Sequence, residues 1–412
     1  MALPTPPNSL SVTTPEHLPR SGPDERPFAT RVADCITGYV LPAGLVLLLT
    51  GMIWSGNRSL YHQFFYWLIA LPAALLVAVR RDTIAHLVRS PIVVAFLVFA
   101  TYAALSLSWS NPDQAVTSLI KRPLYVLLVF AGIVGLTRYR YERLVQALTA
   151  SAWIAVAGAI VLLAGHALDG HGDRLTGYGA FGNPLLISHV FGFLLVLWLA
   201  HWTWQGRPFA PSVIVAVLAL GALIVATGSR TPLVALTVTV AWLALLLGNR
   251  RGVMVLIAYL AVAAIVATGW SDLLAQRGLS FRPQIWNETI RLIMDQPLAG
   301  HGYGNPLQIR VEGLDLTLSD PHNLALSVLY QCGAIGLVLW ISLYATALTT
   351  GWRLRRDRAV FIGSAPVVYG LVAGLTEGGA FLSGPKEHWF LVWIPLALLA
   401  AAGSRYEQHG KA

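Results

Sequence analysis

Apolar residues run in long blocks along the whole chain, separated by short segments where charges, prolines and glycines gather. A helix needs roughly 17–25 apolar residues to cross a hydrocarbon core of ~30 Å. Blocks of that length predict spans near 36–54, 60–79, 91–108, 119–137, 146–165, 184–202, 211–227, 231–247, 252–269, 322–349, 359–376 and 388–404. The pattern therefore predicts an all-α integral membrane protein of about twelve transmembrane helices. Helices 1–9 fill 36–269, a helical loop fills 270–321, helices 10–12 fill 322–404, and tails cover 1–35 and 405–412. The blocks are too long and continuous for the alternation of an outer-membrane barrel.

Composition agrees, with 56% hydrophobic residues, 11% charged residues and a mean hydropathy of +0.64. Such a chain has lipid rather than water as its main solvent. The first 27 residues hold seven prolines and no apolar signal-peptide core, which predicts a disordered cytoplasmic tail. Cys35 and Cys332 fall at different depths in this layout, so neither a disulfide nor a zinc site is expected.

Charge sets the expected orientation. With the amino terminus in the cytoplasm, most of the 28 Lys and Arg residues fall inside, and the short loops 138–145 and 350–358 carry the clearest bias. Both termini are then cytoplasmic, and the net charge of +9 is an orientation signal rather than a sign of nucleic-acid binding. Arg58, Lys121, Arg122, Arg174, Arg230, Arg277, Arg282, Arg291, Arg310 and Lys386 remain on the outer side, where orientation does not explain them.

Several of these share a context. Lys121-Arg122-Pro123, Arg230-Thr231-Pro232, Arg282-Pro283 and Asp320-Pro321-His322-Asn323 each precede or open a helical pattern. Proline is favoured in a first helical turn, and the free N–H groups and dipole there attract anions. These ends are expected to converge on one anionic group at the outer interface. The competing reading is that prolines start helices everywhere and that arginines at membrane edges bind lipid headgroups.

Around Arg282, the residues Trp286, Ile290 and Ile293 fall at helical spacing with Asn287, Arg291 and Asp295 opposite, which predicts an amphipathic surface helix ended by Gln296-Pro297. Gly300-His301-Gly302-Tyr303-Gly304 follows no strand and reads as a tight turn, not a dinucleotide loop. His166, Asp169, His171 and Asp173 lack a second ligand-bearing motif, so no metal site is expected, whereas Arg174 beside them suits a phosphate or sugar. His322 follows a proline at a helix start, where the dipole is expected to keep it neutral, as a proton acceptor must be. A structural interfacial histidine is the alternative.

The run Asp320-Pro321-His322-Asn323-Leu324-Ala325-Leu326, with Arg282-Pro283-Gln284-Ile285-Trp286 and the Pro297–Asn305 turn upstream, resembles the signature region of the bacterial O-antigen ligase family. Gly228-Ser229-Arg230-Thr231 resembles the family's short arginine-bearing loop, and the segments at 175–177 and 181–184 a further one. The resemblance spans roughly 120–350. It implies a GT-C-like glycosyltransferase of a Gram-negative inner membrane, working without cofactor or metal. The enzyme would transfer a glycan from undecaprenyl diphosphate to a hydroxyl of lipid A-core oligosaccharide on the periplasmic face, with inversion.

By motif, the resemblance places Arg230, Arg282 and His322 at catalytic positions, with Arg174, Lys121, Arg122 and Asn323 as substrate-binding candidates. His322 would accept the acceptor's proton or orient its hydroxyl. Glu377 and Trp389 resemble family positions only loosely and receive no role. An O-antigen polymerase and a protein O-oligosaccharyltransferase use the same donor chemistry. A transporter would be expected to show mid-membrane charges or matching broken helices. Beyond its two substrates and membrane lipids no partner is implied, and no nucleic acid.

Overall fold

The computed structural model describes residues 27–169, 174–177, 182–206, 210–269, 281–311 and 317–409. Along these the chain forms α1 (Phe28–Trp54), α2 (Arg58–Val79), a short α3 (Asp82–Arg89), α4 (Pro91–Trp109) and α5 (Val116–Asp169). Then come α6 (Pro184–Gln205), α7 (Pro211–Ala226), α8 (Arg230–Leu247), α9 (Arg250–Gly269) and α10 (Arg282–Ile293). A two-residue hairpin pairs β1 (Ile309–Arg310) with β2 (Thr317–Leu318), and α11 (Leu324–Arg353), α12 (Arg358–Gly374) and α13 (Trp393–His409) complete the chain. Nine helices among the described residues are long and apolar enough to cross a membrane. The protein is an all-α integral membrane protein, and most of each predicted span is helical, although the tenth begins at Leu324 rather than 322 and the eleventh ends at Gly374 rather than 376.

Length shows how the spans are joined. The 54 residues of α5 would reach about 80 Å if straight, far beyond one bilayer. The helix instead breaks at Arg140, at φ −149° and ψ 56°, where the sequence predicts a loop between spans at 119–137 and 146–165. The first helix starts at Phe28 rather than 36, and α13 runs on to His409, past the predicted boundary at 404. Both α1 and α2 widen into a π turn, at Ile36–Val40 and Tyr66–Ala70, just before Pro42 and Pro72. A proline has no N–H and crowds the carbonyl four residues back, and the wider turn relieves that clash.

The most enclosed span begins with the 3₁₀ turn Glu387–Phe390 and continues into α13, with 83% of its most apolar stretch buried. It packs on α4, α5, α11 and α12. Trp393 stands edge-on to Trp340 and Phe96, with centroids 5.9 and 5.2 Å away, and its indole N–H donates to the Phe381 carbonyl at 2.9 Å. Lipid tails are as apolar as these side chains, so close packing and such hydrogen bonds, averaging ~0.6 kcal/mol, hold the bundle together. By contrast α9 is only 6% buried and leans on α8.

Helix α11 is broken at Gly333, with φ 65° and ψ −169°. There the Ala334 and Ile335 N–H groups donate to Pro297 and Leu298 carbonyls at 2.8 and 3.3 Å, not to Tyr330 and Gln331. Those two carbonyls accept instead from His301 and Gly302, at 2.9 and 2.8 Å. The incoming turn thus supplies partners for these two N–H groups and two carbonyls, as a low-dielectric setting requires. Gly300, Gly302 and Gly304 all have positive φ, so the expected tight turn is present.

The segment after α9 carries its own small core. Ile285 and Ile293 of α10 pack with Leu307, Ile309 and Val311 near the hairpin and with Tyr330 of α11. The buried positions of α10 are Ile285, Thr289 and Ile293, whereas Ile290 is 46% exposed. Of the three apolar positions read from helical spacing, Ile293 is in this core, Trp286 packs against it and Ile290 faces outward. The helix docks on β1 and on α11.

Candidate active site

Two of the proline-marked arginines are the first residues of their helices: Arg230 opens α8 and Arg282 opens α10. Both line one cavity of about 690 Å³, together with Arg174, His322 and Glu377. Positive helix ends and three guanidinium groups thus face a common space. A second cavity, of about 630 Å³, lies at the other end of the bundle among α5, α6, α12 and α13. It is lined mostly by apolar side chains and contains none of these residues.

Local structure fixes each member. The turn before α8 has Gly228 at φ 59°, and Arg174 braces it by donating from Nε to the Thr227 carbonyl at 2.6 Å and from Nη2 to Ser229 Oγ at 3.1 Å. Thr231 Oγ1 lies 2.9 Å from Thr376 Oγ1, which ties α8 to the segment carrying Glu377. Across the cavity, the Asp320-Pro321-His322 turn is held twice. Asp320 Oδ1 accepts from the His322 N–H at 2.7 Å, and the Trp286 indole donates to the Pro321 carbonyl at 3.1 Å.

His322 itself has φ 48°, in the left-handed region that costs a non-glycine residue roughly 1–2 kcal/mol. Such a conformation persists only where the surroundings over-determine it. These two hydrogen bonds, and Asn323 following as the α11 cap, supply that constraint.

Glu377 is the residue that sequence reasoning left without a role. It is 4% exposed, forms an ion pair with Arg282, and brings Oε2 to 3.6 Å from His322 Nδ1. A buried carboxylate needs such partners. Gly378 and Gly379 let it sit there: Gly378 has φ 83°, and a Cβ at Gly379 would stand 2.6 Å from Asp320 Oδ1. The available signal was one acidic residue followed by two glycines between apolar spans. Trp389, in contrast, is fully buried, stacks edge-on to Phe65 and donates to the Ser383 carbonyl at 3.2 Å, so it is packing.

The surroundings of His322 oppose the expected effect of the helix dipole. Glu377 beside it raises the imidazole above its usual pKa, burial opposes the rise, and the Asp320 charge adds to it. The helix dipole is outweighed because His322 lies ahead of the cap, next to two carboxylates.

The other candidates are placed differently. Helix α5 begins at Val116, so Lys121 and Arg122 sit more than a turn inside it and not at its amino terminus. Neither lines the cavity, and Arg122 donates to the Gln114 side chain. Asn323 is the α11 cap, its Oδ1 accepting from the Leu326 N–H at 3.0 Å. His171 and Asp173 lie outside the described residues, and Cys35 and Cys332 are free thiols.

The arrangement suits an anion held beside a base. Guanidinium forks and helix amino termini bind phosphate-like oxygens, and an imidazole backed by a carboxylate accepts a proton. A family model described as O-Antigen ligase matches residues 214–341, the stretch that carries Arg230, Arg282 and His322. An O-antigen ligase of Pseudomonas aeruginosa is 45% identical over 373 residues, covering 89% of this chain and 91% of that protein. Similarity at that level across nearly the whole length, with the matched stretch carrying three of the charged groups gathered at the cavity, means that the chain belongs to the O-antigen ligase family.

Proposed function

We propose that the protein is a GT-C-type ligase that transfers a glycan from undecaprenyl diphosphate to a hydroxyl of lipid A-core oligosaccharide, with inversion and without a metal. The observation that carries this reading is the convergence of Arg230, Arg282 and the His322–Glu377 pair on one cavity. In the proposed step the acceptor oxygen attacks the anomeric carbon while the bond from that carbon to the diphosphate oxygen breaks. The departing oxygen keeps the electron pair, and Arg230, Arg282 and the two helix ends stabilise its charge. The hydroxyl proton passes to His322, and Glu377 stabilises the imidazolium that forms.

Sidedness follows from charge. The end of the bundle opposite the cavity holds Arg80, Arg81, Arg138, Arg140, Arg143 and Arg358, where Arg140 pairs with Asp34 and Arg358 meets His201 at 3.3 Å. A positive end marks the cytoplasm, which supports an inner-membrane protein with cytoplasmic termini and a periplasmic cavity.

The test is reconstitution of purified protein with undecaprenyl diphosphate-linked glycan and rough lipopolysaccharide, in the presence of chelator. Glycan on lipid A-core is the expected product. Lengthening of the lipid-linked glycan with no transfer to the core would replace this reading with that of a polymerase.

A further inference from the structure

The cavity of about 630 Å³ at the other end of the bundle shares no residue with the arginine cavity. Four helices wall it with apolar groups: Leu148 and Ala152 from α5, Leu197 from α6, Ile362 from α12, and Leu398 and Ala402 from α13. The last two belong to the most enclosed span, so the slot reaches deep into the bundle. Val145 and Thr149 of α5 also line it and are exposed, which leaves its side open to the surrounding lipid. The Thr149 hydroxyl is engaged by the Val145 carbonyl at 2.8 Å. Packed interiors keep few voids larger than a water molecule, and water needs polar partners that these walls do not offer. Hydrocarbon is the filling that such walls accept.

The mouth of the slot is different, with Arg358, His201, Gln146 and Glu142 among its lining residues. Arg358 is the first residue of α12, and its Nη2 lies 3.3 Å from His201 Nδ1. The other nitrogen of that ring is 2.6 Å from the Gln205 side-chain amide. Arg358 thus meets an imidazole rather than a carboxylate, and among the described residues it forms no ion pair. Two further arginines reach the same rim. Arg143 donates to Gln146 Oε1 at 3.1 Å, and Arg405 lies over the ring of Tyr141, another lining residue, 4.0 Å from its centroid. Against these stand two acids, Glu142 and Asp357, of which Asp357 is occupied as the α12 cap, accepting from the Val360 N–H at 3.0 Å.

Length agrees with a lipid. Ten residues separate Glu142 at the mouth from Ala152 inside, about 15 Å of helix, which is half of a hydrocarbon core of ~30 Å. The slot therefore spans one leaflet, and guanidinium groups between helices at its mouth suit an anionic headgroup.

We propose that this cavity is a site for an anionic glycerophospholipid, with the phosphate against Arg358 and its neighbouring arginines and an acyl chain along Leu197, Ile362 and Leu398. The lipid bridges α5, α6, α12 and α13, and its binding is independent of the transfer reaction.

The experiment titrates full-length protein in detergent with phosphatidylglycerol or phosphatidylcholine of the same chain length, and native mass spectrometry counts the lipid retained. The wild type is expected to hold one phosphatidylglycerol about tenfold more tightly than phosphatidylcholine, the scale of one hydrogen bond to a charged group. Arg358→Gln should erase that preference, and Arg358→Lys should keep most of it, which separates charge from folding. Thr149→Trp places an indole in the slot and should weaken retention of both lipids. Melting temperature gives a second reading, because a ligand bound only by the folded protein stabilises it. Phosphatidylglycerol should raise it in the wild type and in Arg358→Lys but not in Arg358→Gln.

Equal retention of the two lipids by the wild type overturns the proposal, as does a preference that survives in Arg358→Gln. A wild-type dimer that becomes a monomer in Thr149→Trp with lipid retention unaltered also overturns it, and makes a second copy of the chain the occupant.

Discussion

Glu377 Oε2 lies 3.6 Å from Nδ1 of His322, and the same carboxylate pairs with Arg282. One buried acid thus contacts both the proposed base and a proposed diphosphate ligand, coupling proton transfer to leaving-group binding.

The pH profile of transfer is expected to report this pair. A base works in its neutral form, and Glu377 raises the pKa of His322, so activity is lost as pH falls through that raised value. Glu377→Gln removes the largest cause of the rise. The acidic limb of kcat/KM should therefore move to lower pH while the maximum falls. An unmoved limb would remove His322 as the titrating base.

His322→Ala is expected to lower kcat on the order of 10²–10⁴-fold, the range for loss of a positioned general base. Thermal unfolding of the purified variant should stay close to wild type, because alanine relieves no packing and tolerates the turn no worse. Transfer at the wild-type rate would exclude a proton-accepting role.

Arg230→Ala should lower kcat by roughly 10²–10³-fold, as when one preorganised donor to a developing negative charge is removed. Arg282→Lys tests geometry against charge. The ammonium keeps the ion pair to Glu377 but not the planar fork, so a loss well beyond that of a neutral cavity substitution such as Val234→Ala is expected in steady-state kinetics.

Trp286→Phe keeps the aromatic body and deletes the indole bond to the Pro321 carbonyl, whose loss costs about 1 kcal/mol. A looser His322 turn should lower kcat several-fold and leave donor KM near wild type. A change confined to KM would mean that Trp286 contacts substrate instead.

Much of the fold was legible because runs of apolar residues carry the membrane signal directly. Placement of Arg230 and Arg282 at helix starts was legible too, since a proline within the next two residues marks a first turn. What escaped was whatever depends on partners distant in sequence. Glu377 acquires its role only when α12 brings it against α10 and the His322 turn, and nothing near Arg122 says that the helix has already begun at Val116. The docking of Ile285 and Thr289 of α10 was not legible either, because a hairpin formed by residues further along the chain supplies their other surface. The break at Gly333 lies within a continuous apolar run and leaves no local mark except the glycine.

Gly333→Val should fail for a reason unrelated to chemistry. A Cβ there would stand 2.1 Å from the Leu298 carbonyl oxygen, on a backbone with positive φ. Strain of this kind costs roughly 1–3 kcal/mol before any clash is counted. Low yield of monodisperse protein in detergent is the expected readout, and a well-behaved variant would show that the break can close.

The exchange of backbone partners at Gly333 also bears on how the chain is built. Exposed carbonyls of Tyr330 and Gln331 in hydrocarbon would cost several kcal/mol each, so α11 on its own is a poor guest for the bilayer. Residues 297–302, which satisfy those carbonyls, precede α11 in the chain and are synthesised first. The helix therefore emerges when its complement already exists in the chain, so the carbonyls freed at Gly333 can be paired as soon as α11 meets the turn that precedes it.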